Sequence, residues 1–494
     1  MPTWKDWLQE LNRRSRAASE QGGKAKVNKQ HEAGRLTARE RLEKLLDQDS
    51  FLEIGLLGAG ASPSGEPIPA DGLIGGYGMI GGQSVVVMAE DFTTMGGSIG
   101  HVGAAKRVRF AQLALQEKRP FIMLLEGVGE RADNALERYP RTPNDLQMLA
   151  RLKGQVPVIS VVMGSSAGHG ALAAVFSDYV IMTRQAALFS AGPQLVKAAL
   201  GQTVTPQELG GAQIHTTASG IAHGLAEDDM TALEMVRHYL DYFTHREKDG
   251  RSDHDGVTDI LDIIPPDVMQ PYDMTLVLTQ LFDRGSVMLL QPDYGASLCL
   301  ALARLEGHSV MVVASQPAVM GGAITMEAAG KAAHFLETAS AFALPVVFLC
   351  DTPGVMPGAE AEQAGTLKAA AAFYRAQAVL TGPKLHVTLR KAFGFGSSLM
   401  AMNPFDGQTI TLAFPNASLG AMPVKGGADA AGLDEAEAQK LAELGAGAWA
   451  GADNVAYDRV IDPRQLRVEL VAALGHAYQA HEAHEAHEAK GGAS

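Results

Sequence analysis

The sequence predicts an α/β protein built as two tandem lobes, and three observations carry that prediction. Short apolar, β-branched runs alternate with helix-compatible segments, the mark of an α/β layer fold. A whole βαβ unit occurs twice, about 225 residues apart. Each copy also presents a glycine-rich turn directly after a strand. Met95-Gly96-Gly97-Ser98-Ile99 returns as Met320-Gly321-Gly322-Ala323-Ile324, with Lys106 answered by Lys331, Pro120 by Pro345 and Gly129 by Gly354. Further on, Val156-Pro157-Val158-Ile159 leading to Gly168-His169-Gly170 is answered by Gly382-Pro383-Lys384-Leu385 leading to Gly394-Phe395-Gly396. A repeat of this length means two copies of one domain and not a solenoid of short units. Two such lobes can face each other and share a site.

Taken in order, residues 1–50 read as helices around a basic polar stretch, with leucines at helical spacing through Leu42, Leu45 and Leu46. A strand region is expected from Ser50 to Leu57. Ser84 to Ala89 is a strand buried on both faces, Ala104 to Gln116 a helix, and Pro120 to Leu125, Val156 to Met163 and Tyr179 to Met182 further strands. The aperiodic, charged stretch Arg246 to Gly256 is the natural linker. The second lobe repeats the alternation at Val310 to Ala314, Pro345 to Leu349 and Leu385 to Leu389. The expected boundaries are a first lobe over 1–250, a second over 257–480 and a disordered tail over 481–494.

Composition narrows the function classes. The 494 residues exceed one core and suit two domains, and 46% apolar residues with 54 glycines describe a globular chain with many tight turns. A formal charge of -14 speaks against general nucleic-acid binding, which needs a basic footprint. Cys299 and Cys350 both lie in apolar runs, so buried thiols in a reducing, cytoplasmic setting are expected. Met1 to Trp7 lacks the apolar core of a signal peptide, and no apolar span is long enough for a membrane. Histidines at 481, 484 and 487 repeat with period three, which does not stack them for a helical metal site, so no metal is expected.

The strongest chemical signal is the pair of glycine turns, Gly164 to Ala171 and Arg390 to Ser398. Glycine there lets backbone N–H groups approach a ligand, and a following helix start favours negative charge. Two adjacent N–H groups aimed at one oxygen make an oxyanion hole. Either turn alone reads equally as close strand–helix packing; the same feature in both lobes favours two oxyanions handled in one reaction. Neither turn reads GxxxxGK followed by serine or threonine, so neither is a nucleotide P-loop. Asp178, His215, His223 and Asp351 are either acid–base residues or structural ones.

The run from Gln30 to Arg41, the stretch Leu45 to Glu53, Glu208-Leu209-Gly210-Gly211-Ala212, Cys350 to Gly358 and Val460-Ile461-Asp462-Pro463-Arg464 together resemble the carboxyltransferase (beta) subunits of biotin-dependent acyl-CoA carboxylases. The matches run in order from about residue 28 to 470. The resemblance implies a tandem of crotonase-like βαβ-superhelix lobes that moves a carboxyl group from carboxybiotin to the α-carbon of an acyl-CoA. It implies that Gly168 and His169 hold the thioester oxygen and that Phe395 and Gly396 hold the biotin carbonyl. Substrate-binding candidates are Gly127, Gly129, Ala167 and Gly170 in the first lobe and Gly394 and Ser398 in the second. No catalytic side-chain base is needed if the biotin ureido anion takes the α-proton. No biotinylation motif is present, so biotin is expected on another chain, with a biotin carboxylase and a carrier as partners. A homo-oligomer, a hexamer built from dimers with the first lobe of one chain facing the second of another, is implied as well.

The chain also leaves the family pattern. His169 stands where a second glycine is usual, either as a side chain in the pocket or merely as an N–H. Glu126-Gly127-Val128-Gly129 replaces a serine followed by two glycines and places a carboxylate near the acyl-CoA region. Ser398 replaces a frequent aspartate tied to acyl-chain selection, and Ser315 replaces an asparagine. Arg35, Arg39 and Arg41 either meet CoA phosphates or form a solvated helix face. A related acyl-CoA enzyme without a carboxylase partner, such as a decarboxylase, and a non-catalytic paralogue are the competing readings.

Overall fold

The computed structural model describes residues 1–62, 65–131, 144–244, 259–420, 432, 434, 436–437 and 447–491, with backbone alone from 480 onward. The chain forms two compact units, Met1–Thr244 and His245–Ser494. The expected linker, 246–256, lies outside the described residues.

The first unit opens with helices α1 (Trp4–Ser19), α2 (Lys24–Glu32) and α3 (Ala38–Leu45). Helix α3 begins where the sequence supplies a reciprocal cap: the Thr37 hydroxyl accepts from Glu40 N–H, and the Glu40 carboxylate accepts from Thr37 N–H. The strand expected over Ser50 to Leu57 shrinks to β1 (Leu52–Glu53), because Gly55 turns the chain away at φ +74. There follow β2 (Leu73–Ile80), β3 (Gln83–Glu90), α4 (His101–Glu117), β4 (Phe121–Gly127), α5 (Asp145–Leu152), β5 (Val158–Ala167), α6 (His169–Val175), β6 (Tyr179–Thr183), β7 (Ala187–Phe189), β8 (Gly224–Ala226) and α7 (Asp229–Asp241). Among the described residues they build an eight-stranded sheet in the order β1-β2-β3-β4-β5-β6-β8, with β7 on β5. Strands β3 to β6 pair in parallel and are apolar on both faces, as crossover connections require. Val86, Met88, Phe121, Met123 and Val162 of these strands lie in one core with Phe110 and Leu113 of α4.

The second unit repeats this plan with α8 (Met274–Leu281), β9 (Met288–Leu290), β10 (Leu298–Leu305), β11 (His308–Ser315), α9 (Met326–Ala341), β12 (Val346–Thr352), α10 (Thr366–Ala378), β13 (Lys384–Phe393), α11 (Gly394–Leu399), β14 (Ile410–Ala413), β15 (Ser418–Gly420), β16 (Arg459–Val460) and α12 (Leu466–Gly491). Its sheet, eight-stranded among the described residues, runs β9-β10-β11-β12-β13-β14-β16, with β15 on β13. The register repeats too: Val86 pairs with Phe121, and their counterparts Met311 and Val346 pair likewise. Each antiparallel hairpin is clamped by an aspartate, Asp47 accepting from Gly81 and Gly82 N–H and Asp283 from Glu306 and Gly307 N–H. Lys106 and Lys331 are both buried, and each donates to two backbone carbonyls, of Ala70 and Leu73 and of Gln291 and Tyr294.

Helix α12 places Leu466, Leu470 and Leu474 in the core of the second unit at helical spacing. Its backbone stays helical to Gly491, through most of the stretch expected to be a disordered tail. Alanine, glutamate and lysine there have high helix propensity, which the period-three reading left out.

Candidate active site

Both glycine turns stand at the carboxyl end of a central parallel strand. In the first, β5 ends at Ala167, Gly168 takes φ +58 and ψ −116, and α6 starts at His169. In the second, β13 ends at Phe393, Gly394 takes φ +57, and α11 follows. A positive φ is the conformation glycine adopts without strain, so both turns redirect the chain in the same way. The first-turn N–H groups of a helix have no intrahelical acceptor and face outward. In the first unit these belong to His169, Gly170 and Ala171, since Leu172 N–H is the first to bond back, to Gly168 C=O at 3.0 Å. Gly168 N–H donates instead to Phe189 C=O at 3.0 Å, as part of the β5–β7 pairing. The open donors of this turn therefore begin one residue later than Gly168.

The remaining candidates gather around these turns, one group in each unit. Gly127 pairs with Ser166 across β4 and β5, and a Cβ on Gly129 would lie 2.9 Å from Ala167 C=O. In the second unit a Cβ on Gly396 would meet Gly354 Cα at 2.7 Å, so that corner closes on bare backbone. The Phe395 ring beside it is 54% exposed. Ser398 is half-buried on α11, and its carbonyl accepts from Gln377 Nε2 at 3.2 Å.

The carboxylate of Glu126 is fully buried, ion-paired with Arg35 and Arg41, and accepts from Gln30 Nε2 at 2.9 Å. Arg41 also reaches Asp229 at 2.9 Å, and Arg39 pairs with Glu53 at 2.9 Å. The three arginines are thus internal counter-charges, neither a solvated face nor free for a phosphate. Such pairs are costly to break, because a stranded buried charge loses its solvation and its partner together. Asp178 accepts from Val158 N–H at 2.9 Å, and His223 Nδ1 from Val180 N–H at 3.1 Å, each bracing a strand. His215 is tied to Leu188 C=O and Ser219. Asp351 is bound by Arg390 at 2.7 Å. All four do structural work.

Sequence reasoning did not find what surrounds His169. Its Nε2 lies 2.5 Å from Asp145 Oδ1 at the start of α5. Asp145 Oδ2 faces Arg107 Nη1 at 3.8 Å, Arg107 is ion-paired with Glu90, and Glu90 accepts from the Glu126 backbone N–H at 2.7 Å. Burial pushes the Asp145 carboxyl up, but the hydrogen bond from His169 and the charge of Arg107 outweigh it and hold the group below the usual carboxylate range. The carboxylate is ionised, so Nε2 carries the proton, and in the neutral ring Nδ1 is the nitrogen with a lone pair.

The carboxyl transferase domain family matches residues 29–490. The methylmalonyl-CoA carboxyltransferase 12S subunit of Propionibacterium freudenreichii subsp. shermanii is 34% identical, over 92% of this chain and 90% of its own. The propionyl-CoA carboxylase beta chain of Cereibacter sphaeroides is 33% identical, over 94% of each chain. Among solved structures, the transcarboxylase 12S hexamer with methylmalonyl-coenzyme A and methylmalonic acid bound superposes with a TM-score of 0.89 at 31% identity, covering 97% of both chains.

Proposed function

The chain belongs to the carboxyltransferase family of biotin-dependent acyl-CoA carboxylases, and from that membership we propose that it moves a carboxyl group from carboxybiotin, held on a separate carrier, to the α-carbon of an acyl-CoA. The observation that carries the reading is the matched pair of turns, with φ +58 at Gly168 and +57 at Gly394. Removing a proton beside a thioester puts charge on its oxygen, and donors fixed beforehand lower the cost of that charge without reorganising. His169 and Gly170 supply such N–H groups in the first unit, and Phe395 and Gly396 in the second. The glycine-on-glycine corner at Gly354 and Gly396 and the exposed Phe395 ring suit a flat cyclic urea with an apolar flank. Biotin, when bound there, supplies the activated carboxyl group. Gly127, Gly129 and Ala167 line the approach on the acyl-CoA side, and Ser398 bears on acyl-chain choice.

The proposal extends to assembly: a homohexamer working with a biotin carboxylase and a biotin carrier. Incubating the purified chain with carboxylated carrier and acetyl-, propionyl-, branched or aryl acyl-CoA should give a carboxylated product with at least one of them. Folded protein that carboxylates none would overturn the reading. Light scattering should report about six chain masses, and a stable monomer at micromolar concentration would defeat the assembly.

A further inference from the structure

The first-unit turn holds something its second-unit counterpart lacks. His169 offers an oriented imidazole with Nε2 committed to Asp145, which leaves Nδ1 as the accepting nitrogen of the neutral ring. The ring is 27% exposed, so it reaches the surface of the turn while its partner stays buried. At the corresponding position the second unit has Phe395. Where the first unit has Glu90 and Arg107 behind the dyad, the second has Ser315 and Ala332, and α10 runs through alanines at 369–372. This asymmetry follows the demand of the reaction. The acyl-CoA must lose a C–H proton beside its carbonyl, whereas a urea carbonyl has no such proton to lose. The residue whose N–H would meet the thioester oxygen also carries an imidazole, and the proton leaves the carbon next to that carbonyl.

We propose that His169 is a general base for the acyl-CoA α-carbon, with Asp145 and Arg107 as positioning residues that keep Nδ1 in its accepting form. In this step the α-C–H bond breaks and its proton passes to Nδ1. The electron pair moves into the bond between the α-carbon and the thioester carbon, and the charge rests on the thioester oxygen. Returning a proton from the imidazolium to the α-carbon reverses it without oxidant or co-reactant. Asp145 from α5, Arg107 from α4, Glu90 from β3 and Glu126 from β4, itself closed off by Arg35 and Arg41, are the titratable and charged groups packed behind the ring. The inference rests on acyl-CoA binding in the first unit.

It is tested without any carrier. The full chain is incubated with propionyl-CoA in D₂O, and α-deuterium is followed by NMR. Exchange is expected, rising with pH through one ionisation. It should fall by about 10²-fold or more in His169→Gln, which keeps a donor for Asp145 but cannot take a proton. Asp145→Asn should also slow exchange, because the ring loses the carboxylate that orients it. His169→Gly serves if the glutamine variant does not fold, with coenzyme A affinity as the check on the site. Wild-type chain that carboxylates propionyl-CoA yet leaves its α-protons in place overturns the inference and spares carboxyl transfer. Equal exchange in His169→Gln also overturns it. Chain that neither exchanges nor carboxylates any acyl-CoA defeats both readings.

Discussion

In the first unit the acid near the end of β4, Glu126, is met by Arg35 and Arg41, which arrive from the N-terminal segment outside the sheet. In the second, Asp351 near the end of β12 is met by Arg390 at 2.7 Å and Lys391 at 3.5 Å from the neighbouring strand β13 and by the hydroxyl of Tyr272 at 3.0 Å. The backbone N–H of each acid also has a repeated acceptor: Glu90 at 2.7 Å in one unit and the Ser315 hydroxyl at 3.1 Å in the other. Register, turn conformation and lysine caps repeat, while the polar interior has been refilled separately in each copy. The choice at one position propagates. Glu90 draws Arg107 against it, and Arg107 reaches on to Asp145 and His169, whereas a neutral Ser315 calls for no such partner.

The comparison breaks first at the arginines. Arg390 is fully buried and also donates to the carbonyls of Pro265, Asp267 and Gln270, so Arg390→Met should cost roughly 3–5 kcal/mol in a urea melt. Arg35→Met should cost clearly less, because Arg41 still holds Glu126 at full burial, whereas Lys391 is left 3.5 Å from Asp351, and because Arg35 is partly exposed. Equal losses would mean that the two acids are not held as differently as their partners suggest.

Next in size is the second turn. Gly396→Val drives a Cβ into Gly354 Cα at 2.7 Å, and turnover should fall by about 10²-fold or more with acyl-CoA affinity retained. Unchanged turnover would remove Gly396 from the donor set.

Ser398→Asp sharpens the comparison of acyl ends. Adding a carboxylate on half-buried α11 should favour short acyl-CoAs over branched or aryl ones by at least about tenfold in the ratio of kcat/KM values. A ratio that stays put denies the position any part in selection.

The smallest effect should be shared by both units. Burial lowers Lys106 and Lys331 alike, each to about 8 from the usual lysine value. Between about pH 8 and the unfolded value near 10.4 the unfolded chain binds more protons, so each lysine adds stability as pH rises through that window. The deficits of Lys106→Met and Lys331→Met against wild type should therefore both widen from pH 8 to pH 9, by at most about 1.4 kcal/mol each. Deficits that narrow would show the lysines to be charged in the fold.

Much of this architecture could be read from local pattern. The runs Ser84 to Ala89 and Val310 to Ala314 fall inside β3 and β11, and the glycine turns stand where the repeat put them. Val156 and Pro157 fall outside β5, which begins at Val158, because proline cannot donate to the sheet. What stayed hidden depends on residues far apart in sequence. Glu126 meets Arg35 across 91 positions, and His169 meets Asp145 across 24, with no periodicity linking either pair. Arg35, Arg39 and Arg41 looked like surface charges because their carboxylate partners come from other elements. His169 was legible as a departure from a glycine pair, but its orientation depends on where α5 is packed.

Asp229 has one more bearing on the molecule. It opens α7 near the end of the first unit and accepts from Leu36 N–H at 3.0 Å and from Arg41 Nε at 2.9 Å, the latter across 188 positions. The beginning and end of the unit are thereby clasped together, and the clasp secures the arginine that neutralises Glu126. On a ribosome the strands carrying Glu126 emerge long before Asp229 does. The nascent sheet must wait with Arg41 on Glu126 but its clasp to Asp229 still open, and a contact of such long range forms slowly. The second unit carries Arg390 only 39 positions from Asp351 and closes its equivalent pair almost as soon as the strand is made. Two copies of one fold are thus given different schedules of assembly by where in the chain their polar partners lie.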